Sequence, residues 1–155
     1  MTDLQPLILL LGQHERARDA ARMEHQRALA ASEAASAQTE QLRAYRRDYE
    51  QRWSAQFCRE GKIELVRCYQ SFMERLTLAI DQQTRIAEHA AQQLEHALAA
   101  VRESELRCAS VRKLIERRTQ QHRLDADRTE QKRGDELATR AAWNRIAARR
   151  SSRPN

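Results

Sequence analysis

The sequence predicts an all-α protein: a long antiparallel two-helix coiled-coil hairpin with an overhanging C-terminal helix. The first observation is that 155 residues include only 3 glycines and 2 prolines, too few for the turns of a β-sandwich, a barrel or an α/β fold. The second is that neither residue type occurs between Lys62 and Arg133, so one helix can run there without a break. The third is an apolar heptad stripe on that helix, which stops before the helix does.

The first helix is expected over about residues 4–59, with Asp3 as a possible cap and Pro6 tolerated in its first turn. The turn is expected at about residues 60–62, because Gly61 suits the left-handed conformation that ends many helices.

The second helix is expected over about residues 63–149. A helix of roughly 88 residues is ~130 Å long, which a coiled coil needs and a globular domain does not. We expect the whole chain, residues 1–155, to form a single coiled-coil domain.

The apolar stripe of the second helix repeats every 3.5 residues on average, the period of a left-handed coiled coil. Twelve of its fourteen positions are apolar. We call it the α2 stripe: Tyr69, Met73, Leu76, Ile80, Gln83, Ala87, Ala90, Leu94, Ala97, Val101, Ser104, Cys108, Val111 and Ile115.

The first helix carries a looser stripe in which small alanines predominate. Its expected members are Leu10, His14, Ala17, Ala21, Glu24, Ala28, Ala31, Ala35, Gln38, Leu42, Tyr45 and Tyr49.

The point at which the α2 stripe stops favours an intramolecular hairpin. A chain that turns at Gly61 places Leu4 opposite about Arg118, so the partner helix ends just after the stripe ends at Ile115. A parallel homodimer, the alternative, gives no reason for the stripe to stop there. We therefore expect a monomer in isolation, with residues 118–155 as an unpaired overhang or tail.

The net charge of +6 is basic but mixed, whereas a dedicated nucleic-acid binder usually shows a one-sided basic patch. The excess suits an acidic protein partner or an anionic membrane surface equally well. Cys58, Cys68 and Cys108 match no zinc-site spacing, and free thiols in a reducing cytoplasm are expected. The apolar run at residues 7–11 is too short to cross a membrane. These features predict a soluble cytoplasmic protein.

Catalytic chemistry has little support. The histidines show no metal-site spacing, no Gly-x-Ser-x-Gly elbow occurs, and Asp125 and Asp127 suit a solvated helix surface better than a metal site. A two-helix hairpin also lacks a concave pocket. We expect no catalytic residue, no cofactor and no metal, and hence no enzyme.

The aromatic residues are concentrated around the turn, where six of the seven fall within 28 residues. Two side-chain rows there have a four-three-four spacing and are wider than one stripe requires: Phe72, Leu76, Ala79 and Gln83, and Gln38, Leu42, Tyr45 and Tyr49. The excess apolar surface indicates either a protein interface or a well-packed cap on the hairpin.

The C-terminal end forms a second feature, because residues 137–155 contain five arginines and no acidic residue: Arg140, Arg145, Arg149, Arg150 and Arg153. This is typical of a basic segment that enters an acidic cleft or pore or binds nucleic acid. It is also typical of a solvated tail whose cations suit a helix C-terminus.

Specific motifs lie on both sides of the turn and near the C-terminus: Tyr45-Arg46-Arg47-Asp48-Tyr49, then Gly61, then Tyr69-Gln70-Ser71-Phe72-Met73-Glu74-Arg75-Leu76, and finally the stretch over residues 130–142. In these motifs the chain resembles the FliJ family of the bacterial flagellar type III export apparatus, over nearly its whole length. The C-terminal stretch is similar to the closing motif of that family.

The resemblance implies an antiparallel coiled coil similar to the central stalk of rotary ATPases. It implies that the end carrying both termini inserts into the pore of the hexameric export ATPase FliI, that the protein couples this ring to the export gate FlhA, and that it handles export chaperones. A cytoplasmic location at the inner-membrane face of the apparatus and a role in protein export, flagellum biogenesis and motility follow from it, with no nucleic acid as partner.

The resemblance also implies a gate-binding surface near the turn, which we call the turn-proximal patch: Gln38, Leu42, Tyr45, Tyr49, Phe72, Leu76, Ala79 and Gln83. Phe72 and Leu76 are the expected anchors, and Gln83 stands where the family commonly has histidine. Arg140, Arg145 and Arg149 are the expected contacts to the ATPase ring.

The alternatives are the equivalent stalk of a virulence injectisome, a scaffold that homodimerises through the stripe, and a basic coiled-coil nucleic-acid binder.

Overall fold

The structure is a computed structural model that describes residues 4–59 and 61–153. Two helices, α1 at Gln5–Phe57 and α2 at Ile63–Ser151, pack against each other, and the described residues contain no strand. The predicted helical hairpin is confirmed. Pro6 lies in the first turn of α1, whereas Asp3 and Glu60 lie outside the described residues.

The turn does not use the left-handed glycine that the sequence predicted. No glycine in the described part of the chain has a positive φ, so the expectation for Gly61 is wrong. The chain leaves α1 through a tighter turn, in which the Arg59 amide donates to the carbonyl of Gln56 at 3.0 Å. α2 then begins where the Val66 amide donates to the carbonyl of Lys62 at 3.3 Å.

The described chain forms two compact units. One is Gln13–Cys108, and the other joins the residues up to Gly12 with those from Ala109 onward. Within the first unit the helices run antiparallel, because contacts that advance along α1 retreat along α2. The contacts are Arg22 to Glu105 at 3.1 Å, Thr39 to Gln83 at 3.4 Å, and the rings of Tyr49 and Phe72 with centroids at 4.4 Å.

The α2 stripe is confirmed at every position, since all fourteen predicted residues are buried or half-buried. Cys108 is the most deeply buried, at 1% exposed, which matches its expected place in the core. The two polar members, Gln83 and Ser104, are half-buried with the others. The regular heptad spacing therefore describes the packed face of α2 correctly.

The α1 stripe is correct at only every second position. His14, Ala21, Ala28, Ala35, Leu42 and Tyr49 are buried or half-buried, as predicted. The intervening residues Leu10, Ala17, Glu24, Ala31, Gln38 and Tyr45 are exposed, and that part of the prediction is wrong. The packed positions lie one residue later, at Leu11, Arg18, His25, Ser32, Thr39 and Arg46.

Polar side chains fit into this face because their polar atoms find partners close by. The Thr39 hydroxyl, which is buried, donates to the carbonyl of Ala35 at 2.9 Å and lies 3.4 Å from that of Gln83. Arg46 reaches Glu50 at 3.4 Å. The hydrogen bond from Arg18 to Asp19, at 3.1 Å, raises the pKa of the guanidinium, and the nearby Asp19 charge adds to that effect. Such residues pack their aliphatic stems and keep their polar ends solvated or bonded.

In the second unit, burial ends along α2 close to the predicted point. Leu4, Leu7 and Leu11 are half-buried, Val111 is buried, and Thr119 is the last half-buried residue. Every residue over 120–153 is exposed, although α2 continues to Ser151. Within the described chain, neither helix contains a stretch apolar enough over sufficient length to cross a bilayer.

Two separate substitutions by leucine, one at Ser32 and one at its neighbour Ala31, test which face of α1 is packed. Ser32→Leu places apolar surface between the helices and should raise the free energy of unfolding by about 1 kcal/mol. Ala31→Leu adds the same side chain on an exposed position and should change that energy little. Urea unfolding followed by helical circular dichroism measures both, and equal effects would contradict the one-residue shift.

Candidate functional site

The six aromatic residues near the turn form one connected cluster, which we call the aromatic cluster. Tyr49 lies at its centre, with ring centroids 4.4 Å from Phe72, 5.7 Å from Trp53, and 6.1 Å from both Tyr45 and Tyr69. The expectation that these residues gather at the turn is confirmed.

The local sequence explains how the aromatic cluster forms. Tyr49, Trp53 and Phe57 are four residues apart, so they project from one face of α1, while Tyr69 and Phe72 are three apart on the opposing face of α2. The aromatic pair nearest the turn is Phe57 and Tyr69, whose rings are in edge contact with centroids 5.2 Å apart. Offset and edge-to-face rings of this kind add to the stability that their buried area supplies.

The turn-proximal patch, defined from the sequence, is partly assembled by these contacts. Tyr45 meets Phe72 edge-on at 6.5 Å, and the amide groups of Gln38 and Gln83 lie 3.5 Å apart. Tyr45 is 52% exposed and Gln38 is exposed. The half-buried members are Leu42, Tyr49, Phe72, Ala79 and Gln83.

Leu76 differs from the other members of the turn-proximal patch. It is only 8% exposed, because it belongs to the α2 stripe and packs between the helices. An anchor must offer its side chain to a partner, so the expectation that Leu76 is itself an anchor does not fit this structure. Leu76 instead lies in the packed face of α2 within the hairpin.

A surface groove of about 690 Å³ lies on α2 close to the turn, and the sequence reasoning did not identify it. Its lining residues are Tyr69, Gln70, Met73, Glu74, Thr77 and Leu78. The signal that pointed to it is Leu78, a leucine outside the α2 stripe that is 63% exposed.

The C-terminal arginines Arg140, Arg145 and Arg149 are all exposed, and none forms an ion pair with the rest of the described chain. They lie on α2 in a segment where every side chain faces solvent. Their positive charge is therefore not neutralised within residues 4–59 and 61–153.

Metal-ligating side chains do not gather in the described residues, where no group of three or more His, Cys, Asp or Glu is placed to hold an ion. Asp125 and Asp127 are exposed on α2. Cys58, Cys68 and Cys108 are all free thiols, the first two exposed.

The comparison with protein families decides what kind of protein this hairpin is. The model described as "Flagellar FliJ protein" matches residues 3–147. The chain belongs to the flagellar FliJ protein family. Neither a curated protein nor a solved structure matches the chain.

The FliJ family is a non-catalytic component of the flagellar export apparatus, and this chain is a component of that apparatus. The match includes the whole turn-proximal patch together with Arg140 and Arg145, whereas Arg149 lies beyond its last residue. The resemblance noted in the motifs around the turn is thereby confirmed.

Truncation of two tyrosines separates the packed part of the aromatic cluster from its exposed part. Tyr49→Ala removes the central ring and should lower the free energy of unfolding by about 3 kcal/mol, since it leaves a cavity among four rings. Tyr45→Ala removes a half-exposed ring and should cost about 1 kcal/mol or less. Urea unfolding followed by tryptophan fluorescence measures both; equal costs would show that Tyr49 is not the centre of the cluster.

Proposed function

We propose that this chain is the central stalk of the flagellar export ATPase ring, that it couples the ring to the export gate, and that it handles export chaperones. The observation that carries the stalk assignment is the long exposed segment of α2. A helix whose side chains are all exposed from residue 120 to its end at Ser151 is suited to a protein partner that surrounds it.

Charge supports the same assignment. Residues 137–153 carry five arginines and no acidic residue, and all of these side chains are exposed. A basic helix of this kind is attracted to an acidic pore, and opposite charges on the two surfaces accelerate their association. Arg140, Arg145 and Arg149 are the residues we assign to the ATPase ring.

The turn-proximal patch is the surface we assign to the export gate. Tyr45 and Phe72 form an aromatic pair on this patch, one half-exposed and the other half-buried, and rings of this kind dominate the energetics of many protein interfaces. Tyr49 contacts both rings, with centroids 6.1 Å from Tyr45 and 4.4 Å from Phe72. The protein thus acts by binding and positioning partners, with no covalent step on this chain.

The flagellar system is preferred over a virulence injectisome because the family match is to the flagellar protein. A homodimeric scaffold is disfavoured because the α2 stripe is already covered by α1 within the one chain. A nucleic-acid role has no support beyond the net charge of +6.

Hydrolysis of ATP by the purified export ATPase, with the full chain titrated in, tests the stalk assignment. We expect stimulation that saturates near one chain per ATPase hexamer. Replacing Arg140, Arg145 and Arg149 together by alanine should raise the half-saturating concentration about tenfold, because three exposed charges contribute roughly 0.5 kcal/mol each.

The matched control removes three exposed arginines elsewhere on α2, namely Arg85, Arg102 and Arg117. This variant has the same net charge as the test variant and should stimulate the ATPase like the unaltered chain. Absence of any stimulation, or an equal rise of the half-saturating concentration in the control, would contradict the stalk assignment.

Binding of the purified cytoplasmic part of the gate, measured by calorimetry, tests the turn-proximal patch. Phe72→Ala should weaken binding by about 2 kcal/mol, or roughly thirtyfold, because it truncates the proposed anchor. Tyr45→Ala should weaken it as well, with little change in stability. Leu78→Ala, on the exposed groove side of α2, serves as the control and should leave the affinity unchanged. If both ring variants keep full affinity at unchanged helix content, the gate surface lies elsewhere.

A further inference from the structure

The two sides of the hairpin differ in chemistry within residues 13–108. The contact between Tyr45 and Phe72 marks one side, just outside the packed stripes. Residues at heptad steps share one side of a coiled coil, so this side continues from Tyr45 along α1 and from Phe72 along α2. We call it the apolar flank: Ala31, Gln38, Tyr45, Phe72, Ala79 and Ile86.

The opposite side is polar. The ion pair between Arg22 and Glu105 bridges the helices there at 3.1 Å. A groove of about 390 Å³ on the same unit is lined by α1 residues including Arg43 and α2 residues including Glu88. Exposed acidic residues follow at heptad steps from Glu88 along α2, at Glu74, Asp81 and Glu95.

The apolar flank leaves large side chains uncovered. Tyr45 is 52% exposed and Ile86 is 55% exposed, while Phe72 is half-buried. From Phe72 to Ile86 the flank extends over about four helical turns, roughly 21 Å. Large apolar side chains left exposed on the same side of the hairpin as Phe72 are available for contact with a partner protein.

The charges beside the apolar flank are biased toward positive. The next heptad row outward on α2 is Arg75, Gln82, His89 and His96, which contains no acidic residue. Arg75 makes no ion pair within the described chain. On α1 the nearby charges already neutralise each other, in the pairs Asp48 with Arg52 at 3.1 Å and Glu24 with Arg27 at 3.8 Å.

We infer that the apolar flank binds an acidic amphipathic α-helix of a partner protein, laid along the hairpin as a third helix. Its apolar face covers Tyr45, Phe72 and Ile86, and its carboxylates meet Arg75. The inference rests on the proposed function in that Tyr45 and Phe72 also belong to the turn-proximal patch. Ala31, Arg75 and Ile86 lie outside that patch.

Occupants from the chain itself are disfavoured by charge. The C-terminal segment brings Arg140, Arg145 and Arg149 with no acidic residue after Glu136, so it would place cations beside Arg75. A second copy docked flank to flank would bring two Arg75 side chains together. Like charges placed in this way oppose association.

A synthetic helical peptide with the stated chemistry is the probe. It has about 21 residues, or six turns, with leucine at positions a and d and glutamate at e and g; a control peptide carries lysine at e and g. We expect the glutamate peptide to bind the full chain, as measured by fluorescence anisotropy, and the lysine peptide to bind at least about tenfold more weakly. Equal binding of the two peptides would overturn the charge argument.

Variants of the chain locate the binding. Ile86→Lys should weaken binding of the glutamate peptide about tenfold or more, because it puts a charge against the leucine face of the peptide. Leu78→Lys is the matched control, since Leu78 is 63% exposed on α2 but away from the flank, and it should bind the peptide normally. Arg75→Glu should weaken binding of the glutamate peptide and strengthen binding of the lysine peptide. If Leu78→Lys has the same effect as Ile86→Lys, the flank is not the site.

Two further measurements separate this inference from the gate assignment. One informative result is that Phe72→Ala loses gate binding, Ile86→Lys keeps it, and the unaltered chain does not bind the peptide. This result would support the gate surface and overturn the third-helix inference. Sedimentation of the full chain tests for a dimer. A dimer that Ile86→Lys abolishes would assign the apolar flank to a second copy and would also overturn the third-helix inference.

Discussion

The packing of α1 against the α2 stripe is the contact on which the rest of the structure depends, because neither helix can shield its apolar side chains alone. The two helices contribute unequally to it. α2 supplies a mostly apolar row of fourteen positions, whereas α1 alternates small or apolar residues with Arg18, His25, Ser32, Thr39 and Arg46. The stripe of α2 and the aromatic cluster therefore supply most of the apolar cohesion of the hairpin. The aromatic cluster also holds the turn, where no left-handed glycine is present.

The polar row of α1 determines which surfaces remain available to partners. Because Arg46 occupies the packed position, Tyr45 is left outside, half-exposed, and its ring meets Phe72 at the edge of the hairpin. The same one-residue shift places Ala31 and Gln38 on the apolar flank. An apolar α1 stripe at the positions that the alanines suggested would have buried Tyr45 and closed this side. The turn-proximal patch and the apolar flank thus follow from the polar residues that α1 packs against α2.

The chain presents two kinds of surface with different chemistry. Near the turn, aromatic and aliphatic side chains are partly exposed, and Arg46 and Arg52 are paired with Glu50 and Asp48. Beyond residue 119, α2 has no partner helix, and its last residues carry only positive charge. Membership of the FliJ family places this chain in the flagellar export apparatus, whose FliJ component is not catalytic. An apolar surface and a basic surface on one hairpin suit a protein that acts by bringing partners together, which is the basis of the proposed function.

The sequence by itself determined the two helices to within about two residues at each end, the packed face of α2, the end of burial near residue 119, and the gathering of six aromatics. Few glycines and prolines, a regular heptad period and clustered rings are local properties, so they can be read without a partner. Only the tertiary structure decided the face of α1 and the exposure of Tyr45. The reason is that Arg18, Arg46 and Thr39 pack through their carbon atoms while their polar ends reach Asp19, Glu50 or a carbonyl. A pattern of apolar and polar residue types does not distinguish a polar residue that packs through its carbon atoms from one that is fully solvated. Contact with the opposing helix makes that distinction.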